Sequence, residues 1–138
     1  MSLRVIPMIL IPSVLYNVIV VLGGGSADPT AVLRKELFSL PLVTGKLPLT
    51  WGDVIILITM VVLFIELIKA TFTSTSAMID HGLSMLVFIA CLVEFLIARP
   101  AASAIFFFIM IASLIDVVAG FMIGMRTARR DLNIGTDS

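Results

Sequence analysis

Five ionisable side chains interrupt the long apolar runs of this chain: Glu66, Asp80, His81, Glu94 and Asp116. An acidic residue near the centre of a membrane helix costs about 2.5–3.5 kcal/mol, so such a group must face protein or water, or carry a proton. Carboxyl groups and an imidazole at graded depth can pass a proton or a cation through an apolar layer. That is the chemistry these residue types permit.

Asp116 is the deepest of these five residues. It lies about 4–5 Å past the middle of the apolar run 101–125, at about 1.5 Å of rise per residue. The competing interpretation is a packing role, in which the carboxyl group is neutral or hydrogen bonded to another helix.

The two glutamates have structural explanations too. Glu66 precedes Lys69 by three residues, and we expect an interfacial ion pair in which Lys69 extends to water. Glu94 lies slightly more than one turn before Arg99, and we expect it to be an interfacial partner rather than a site.

Asp80 and His81 are expected at the start of a helix. A carboxylate in the first turn complements the helix dipole, and a lone histidine is usually a satisfied residue at the membrane surface. This interpretation gives neither residue a function.

The sequence contains no other group of residues typical of a catalytic, cofactor or metal site. The single cysteine, Cys91, and the single histidine, His81, cannot form the clusters that zinc, haem or iron–sulfur centres need. Gly-rich phosphate loops and the Gly-x-Ser-x-Gly and His-Glu-x-x-His motifs are also missing. We therefore expect no enzymatic activity, no cofactor and no metal.

The composition points to a lipid environment. Of the 138 residues, 60% are hydrophobic and 13% are charged, whereas a soluble domain carries about 25% charged residues. A globule of this size cannot bury so much apolar surface. With nine basic and nine acidic residues there is no basic face for nucleic acid.

The apolar runs predict an all-α fold, a single transmembrane domain over residues 1–138. Its four membrane-spanning helices cover about 4–22, 51–70, 77–98 and 101–125. Pro7 and Pro12 should kink the first helix. We expect that helix to be retained. Its removal as a secretory signal, with small residues Gly25, Ser26 and Ala27 near the cleavage site, is the alternative.

The connections follow from polar residues and prolines. Residues 23–50 form the only long loop, and within it 30–40 is either a short amphipathic helix on the membrane surface or an ordinary loop. Thr50 and Asp53 predict a capping box for the second helix. The hydroxyl-rich run 71–76 connects the second and third helices, Arg99 and Pro100 form a tight turn, and 126–138 is a polar tail.

One face of the fourth helix is made of small residues. Ala112, Asp116, Gly120 and Gly124 recur every four residues and place the carboxyl group within a stripe suited to close helix approach. We expect this face to contact another helix, in this chain or in a second copy.

The orientation is predicted from basic residues. Arg126, Arg129 and Arg130 follow the fourth apolar run directly and act as cytoplasmic anchors, because positive residues beside a helix end stay in the cytoplasm. Both termini are therefore expected on the cytoplasmic side of a bacterial inner membrane.

Two stretches carry a resemblance to a known group of proteins. Residues 79–84, Ile-Asp-His-Gly-Leu-Ser, and 114–121, Leu-Ile-Asp-Val-Val-Ala-Gly-Phe, resemble small four-span inner-membrane proteins of proteobacteria. The resemblance covers the last three helices and implies no activity. Small multidrug exporters need a glutamate in the first helix, and four-helix thiol oxidoreductases need a Cys-x-x-Cys pair; both are missing.

Two functions remain open. The first is a non-enzymatic accessory subunit or homo-oligomer, packed through the fourth helix, whose partners are the lipid bilayer and either itself or another membrane protein. The alternative is a small proton- or ion-coupled transporter or channel that uses Asp116 with Glu66 and His81.

Overall fold

The computed structural model describes residues 6–71 and 75–136, except the side chains of residues 75–77, 124 and 127–136. These residues form a mostly helical bundle. In chain order its elements are α1 (Leu10–Leu22), α2 (Pro29–Leu33), β1 (Glu36–Leu42), β2 (Gly45–Thr50), α3 (Trp51–Lys69), α4 (Thr75–Ile97), a 3₁₀ turn (Arg99–Ala101) and α5 (Ala104–Thr136).

Two prolines set where α1 begins. Pro12 lies in the first turn, where its missing N–H removes no intrahelical hydrogen bond. Pro7 precedes the helix, and its carbonyl accepts a bond from the Leu10 N–H at 3.2 Å. The predicted helix over 4–22 is therefore too long, and the prolines start α1 instead of kinking it. Residues 1–5 lie outside the description.

The long connection contains strands that the sequence analysis did not predict. After the short helix α2, β1 and β2 pair as an antiparallel hairpin, with Ser39 opposite Pro48 and Pro41 opposite Lys46. Proline fits because each strand of an isolated pair has an edge without a hydrogen-bonding partner. Neither alternative for residues 30–40 is right over its whole length, because the helix ends at Leu33 and a strand, not an ordinary loop, begins at Glu36.

The start of α3 is as predicted. The Asp53 N–H donates to the Thr50 hydroxyl at 3.2 Å, and the Thr50 N–H donates to the Asp53 carboxylate at 3.0 Å. These reciprocal bonds form the capping box and fix the point at which the hairpin turns into the helix.

The last helix is longer than predicted. The stretch 126–134 contains no proline and no glycine, so nothing stops α5 before Thr136. The predicted polar tail thus continues the helix. Gly124, Arg129 and Arg130 lie in α5, but their side chains are outside the description, while that of Arg126 is exposed.

Successive long helices run in opposite directions, so that different loops and helix ends gather at each end of the bundle. The end that carries Lys69 also holds the residues just before α1, and we call it the Lys69 end. The opposite, hairpin end carries β1, β2, α2 and the 3₁₀ turn. There, the Tyr16 hydroxyl donates to the Pro100 carbonyl at 2.7 Å, and its ring packs against Phe106 with centroids 5.0 Å apart.

Three helices of the described chain are long and apolar enough to cross a membrane: Trp51–Lys69, Met78–Ile97 and Ala104–Ile123. α1 is apolar but shorter. Large apolar side chains cover the outside of the bundle, with Phe64 65% exposed and Leu96 70% exposed. An apolar exterior of this kind is suited to lipid.

Candidate functional site

Lys69, at the end of α3, joins two acidic side chains from different helices. Its ammonium nitrogen lies 3.1 Å from Glu66 Oε1 in the preceding turn and 3.0 Å from Asp80 Oδ1 on α4. The predicted pair between Glu66 and Lys69 is confirmed. The sequence did not show that Asp80 shares the same cation.

Glu66 is buried, which differs from the interfacial position expected of it. The Met8 N–H donates to Glu66 Oε1 at 2.7 Å, and Lys69 donates to the Ile6 carbonyl at 3.4 Å. Because α1 begins only at Leu10, these backbone groups precede the helix and remain available. The position of the prolines therefore places the segment before α1 over the two side chains.

Asp80 was expected in the first turn of its helix, but it does not lie there. α4 begins at Thr75, so Asp80 lies in the second turn and is fully buried. Hydroxyl residues readily begin helices, and here Thr75 and Ser76 are the first residues of α4. The carboxyl group of Asp80 therefore faces α3 instead of a helix end.

His81 is buried as well, not placed at a surface. Its ring packs against Gly120 of α5, where an added Cβ would lie 2.9 Å from both Cε1 and Nδ1. Phe121 flanks the imidazole, with ring centroids 5.6 Å apart. The small-residue face of α5 contacts α4 as predicted, but it receives an imidazole ring instead of a backbone.

Asp116 completes the group from α5. It is fully buried, and its Oδ1 lies 3.8 Å from the point where a Gly120 Cβ would be. Ser84 of α4 is beside its carboxyl group, but the Ser84 hydroxyl donates to the Asp80 carbonyl at 2.9 Å. Glu66 and Lys69 are within electrostatic range of Asp116.

We refer to these five residues, Glu66, Lys69, Asp80, His81 and Asp116, as the Lys69 cluster. Within the described residues, six of its buried polar atoms have no hydrogen-bond partner: Glu66 Oε2, Asp80 Oδ2, both His81 nitrogens and both Asp116 oxygens. Each buried polar atom without a partner costs about 1–3 kcal/mol. Such a site is suited to bind protons or water, which supply the missing hydrogen bonds.

The charge balance of the cluster also favours protons. Lys69 pairs with two of the three carboxyl groups, those of Glu66 and Asp80, and it is the only cation paired with them in the part of the chain that the structure describes. Buried carboxyl groups that outnumber the nearby cations favour the binding of protons. No set of three or more His, Cys, Asp or Glu side chains among the described residues is arranged to hold a metal ion.

Glu94 lies apart from the cluster, near the hairpin end of α4. It is half-buried beside the amide of Asn17, and it forms no ion pair with Arg99 in the described chain. Of the predicted site residues, Glu66, Asp80, His81 and Asp116 therefore converge, whereas Glu94 does not. Ala112 is buried on the same face of α5 as Asp116.

Sequence reasoning missed the contribution of Met8 and the role of Ser84. The signal for Met8 was its place just after Pro7, where a backbone N–H is free to reach a neighbouring helix.

No protein-family model, no curated protein and no solved structure matches this chain.

Proposed function

We propose that this chain is a small, non-enzymatic membrane protein that transports protons, and that the Lys69 cluster is its proton-binding site. One observation carries the proposal: three buried carboxyl groups and a buried imidazole from three helices lie together, two of the carboxyl groups pair with one lysine, and six polar atoms lack partners among the described residues. Ionisable groups in such surroundings typically mark proton relays.

The proposed setting is the bacterial inner membrane, with α3, α4 and α5 crossing it and the shorter α1 packed beside them. The apolar exterior and the lengths of these helices support this arrangement. The Lys69 end is placed toward the cytoplasm because the basic residues of α5 follow its apolar part there.

The interaction-subunit hypothesis depended on a free packing face on α5. Ala112 and Gly120 of that face are buried within the chain, and His81 fills the space in front of Gly120. That face therefore no longer favours a second copy or a foreign partner, and the convergence of ionisable groups favours transport.

The test is proton flux in liposomes that contain only the pure protein. A potassium gradient with valinomycin drives protons, and an enclosed pH dye reports them. We expect flux above that of empty liposomes, and a loss of about tenfold or more in Asp116→Asn, because asparagine keeps the shape but cannot ionise.

The matched control is Asp28→Asn, which removes an exposed carboxyl group whose hydrogen bonds are local, from Thr30 and Ala31. This variant should retain the flux of the unmodified protein. Flux no greater than that of empty liposomes, or equal flux in Asp116→Asn and the unmodified protein, contradicts the proposal.

A further inference from the structure

A line of small polar side chains continues from the Lys69 cluster toward the hairpin end of the bundle. On α4, Asp80 is followed along one helix face by Ser84, Cys91 and Glu94, at spacings of whole helical turns. α1 and α5 add polar side chains at matching depths. We call Ser13, Asn17, Cys91, Glu94 and Ser113 the polar seam.

The seam begins at Glu94 and reaches the middle of the bundle at Cys91. These two residues are three apart on α4, so their side chains are neighbours on one face. The Cys91 thiol lies beside the hydroxyl groups of Ser13 on α1 and Ser113 on α5. Both hydroxyls donate to backbone carbonyls, at 2.8 and 2.9 Å, and their oxygens remain able to accept.

From Ser113 the line continues to the cluster along α5. Asp116 is three residues further on the same helix and lies beside Ser84 of α4. Each step from Glu94 to Asp116 is therefore either one helical turn or a contact between neighbouring helices. Along α4, the distance from Glu94 to Asp80 is about 21 Å at 1.5 Å per residue, most of an apolar layer about 30 Å thick.

The polar seam reaches the surface at Glu94, and the Lys69 cluster to which it leads reaches the surface at Lys69. The residues between these two points are buried. The Lys69 side chain is 20% exposed and Glu94 is half-buried, but Cys91, Ser113 and Ser84 are buried. At the inner end, Asp116 and His81 border the same space in front of Gly120 without hydrogen-bond partners among the described residues. Those unpaired, buried atoms indicate a ligand that can donate and accept hydrogen bonds, which water does.

We propose that the polar seam is a water-filled proton route that connects Glu94 at the hairpin end with Asp116 in the Lys69 cluster. A proton enters at the Glu94 carboxyl group, passes Cys91 along water, and is received by the Asp116 carboxylate. The role as a proton route rests on the proposed function. The entry of water at Cys91 can be tested separately.

Cys91 is the only cysteine, so thiol chemistry reports on this one point of the seam. The experiment adds Ag⁺ to the folded protein in liposomes of phosphatidylethanolamine and phosphatidylglycerol, then unfolds the protein and alkylates any free thiol with N-ethylmaleimide. Intact mass measures alkylation. We expect Ag⁺ to protect Cys91, because a small hydrophilic ion enters a water-filled seam but not a dry core.

The control is the double variant Cys91→Ser with Ile89→Cys. Ile89 lies about 3 Å from Cys91 along the axis of α4 but is 47% exposed on the apolar outside of the bundle. Its thiol should face lipid and remain open to alkylation after treatment with Ag⁺. An unprotected Cys91 in the unmodified protein, or equal protection of both thiols, overturns the proposal.

Flux then tests whether the seam carries protons. Ag⁺ should stop proton flux in the unmodified protein and leave it unchanged in Cys91→Ser, which keeps a small polar group. Cys91→Leu should reduce flux about tenfold, equivalent to about 1.4 kcal/mol on the barrier. A measurable flux that neither Ag⁺ nor Cys91→Leu reduces overturns the route. Complete absence of proton flux refutes the proposed function, and with it the proton route. Protection of Cys91 from alkylation by Ag⁺ still shows in that case whether water enters the polar seam.

Discussion

His81 occupies space that exists because residue 120 is glycine. Any side chain at that position places its Cβ 2.9 Å from two ring atoms of the imidazole, which is closer than carbon atoms normally approach. The small residue on α5 therefore allows the buried histidine on α4, and both are needed to bring the imidazole next to Asp116.

The matched pair Gly120→Ala and Gly82→Ala tests this contact. Alanine favours a helix over glycine by about 1 kcal/mol, and an added Cβ at Gly82 has no neighbour within 4 Å. We expect Gly82→Ala to preserve or raise the melting temperature and Gly120→Ala to lower it, as followed by the fluorescence of the single tryptophan, Trp51. Equal stability of the two variants would mean that His81 does not lie against Gly120.

At the scale of residues, the sequence identified the ionisable groups of the apolar runs better than it predicted where they lie. It identified Glu66, Asp80, His81 and Asp116 from residue type and depth, and the pair of Glu66 with Lys69 from spacing alone. It could not bring Asp80 to Lys69, because the connection between α3 and α4 decides which side chains of the two helices face each other. Contacts between helices depend on rotation about each axis, which a run of apolar residues leaves undetermined.

Helix ends and turns were predicted correctly where a single local interaction determines them. The capping box at Thr50 and Asp53 and the turn at Arg99 and Pro100 are both present, because side-chain hydrogen bonds and proline act within a few residues. The predicted start of α1 was wrong because the effect of a proline depends on its position in the helix. In the first turn a proline is tolerated, whereas further along it kinks the helix, and the sequence did not show where the helix begins. The hairpin of β1 and β2 was missed because two prolines normally argue against strands.

The direction of α5 gives a prediction about sidedness. Arg126 is exposed just beyond the apolar part of this helix, and Arg129 and Arg130 follow it in the sequence, so this end should remain in the cytoplasm. Alkaline phosphatase fused after Ser138 should be inactive, because the enzyme folds only outside the cytoplasm. The same enzyme fused after Thr44, in the exposed turn between β1 and β2, should be active. The reverse pattern would invert the placement of every charged residue.

Across the described part of the molecule, several polar side chains are buried within the core while many large apolar ones are exposed. Glu66, Asp80, Ser84, Ser113 and Asp116 are fully buried, while residues such as Phe64 and Leu96 cover the exterior. An apolar exterior of this extent matches a bundle whose solvent is lipid. The composition indicated this class, but only the packing of the helices shows that the ionisable groups of the Lys69 cluster lie together.

The central claim is that the buried carboxyl groups of the Lys69 cluster bind and release protons. Infrared difference spectroscopy of the protein in lipid, recorded as the pH is changed, measures this directly, because a protonated carboxyl group has a C=O band that the ionised group lacks. The groups around Asp116 are Glu66 and Lys69 of α3 and His81 and Ser84 of α4. We predict a C=O band that changes with pH above about pH 5.5, where exposed carboxyl groups stay ionised, and that is reduced or shifted in Asp116→Asn and unchanged in Asp28→Asn. Identical spectra for the unmodified protein and Asp116→Asn would contradict the account.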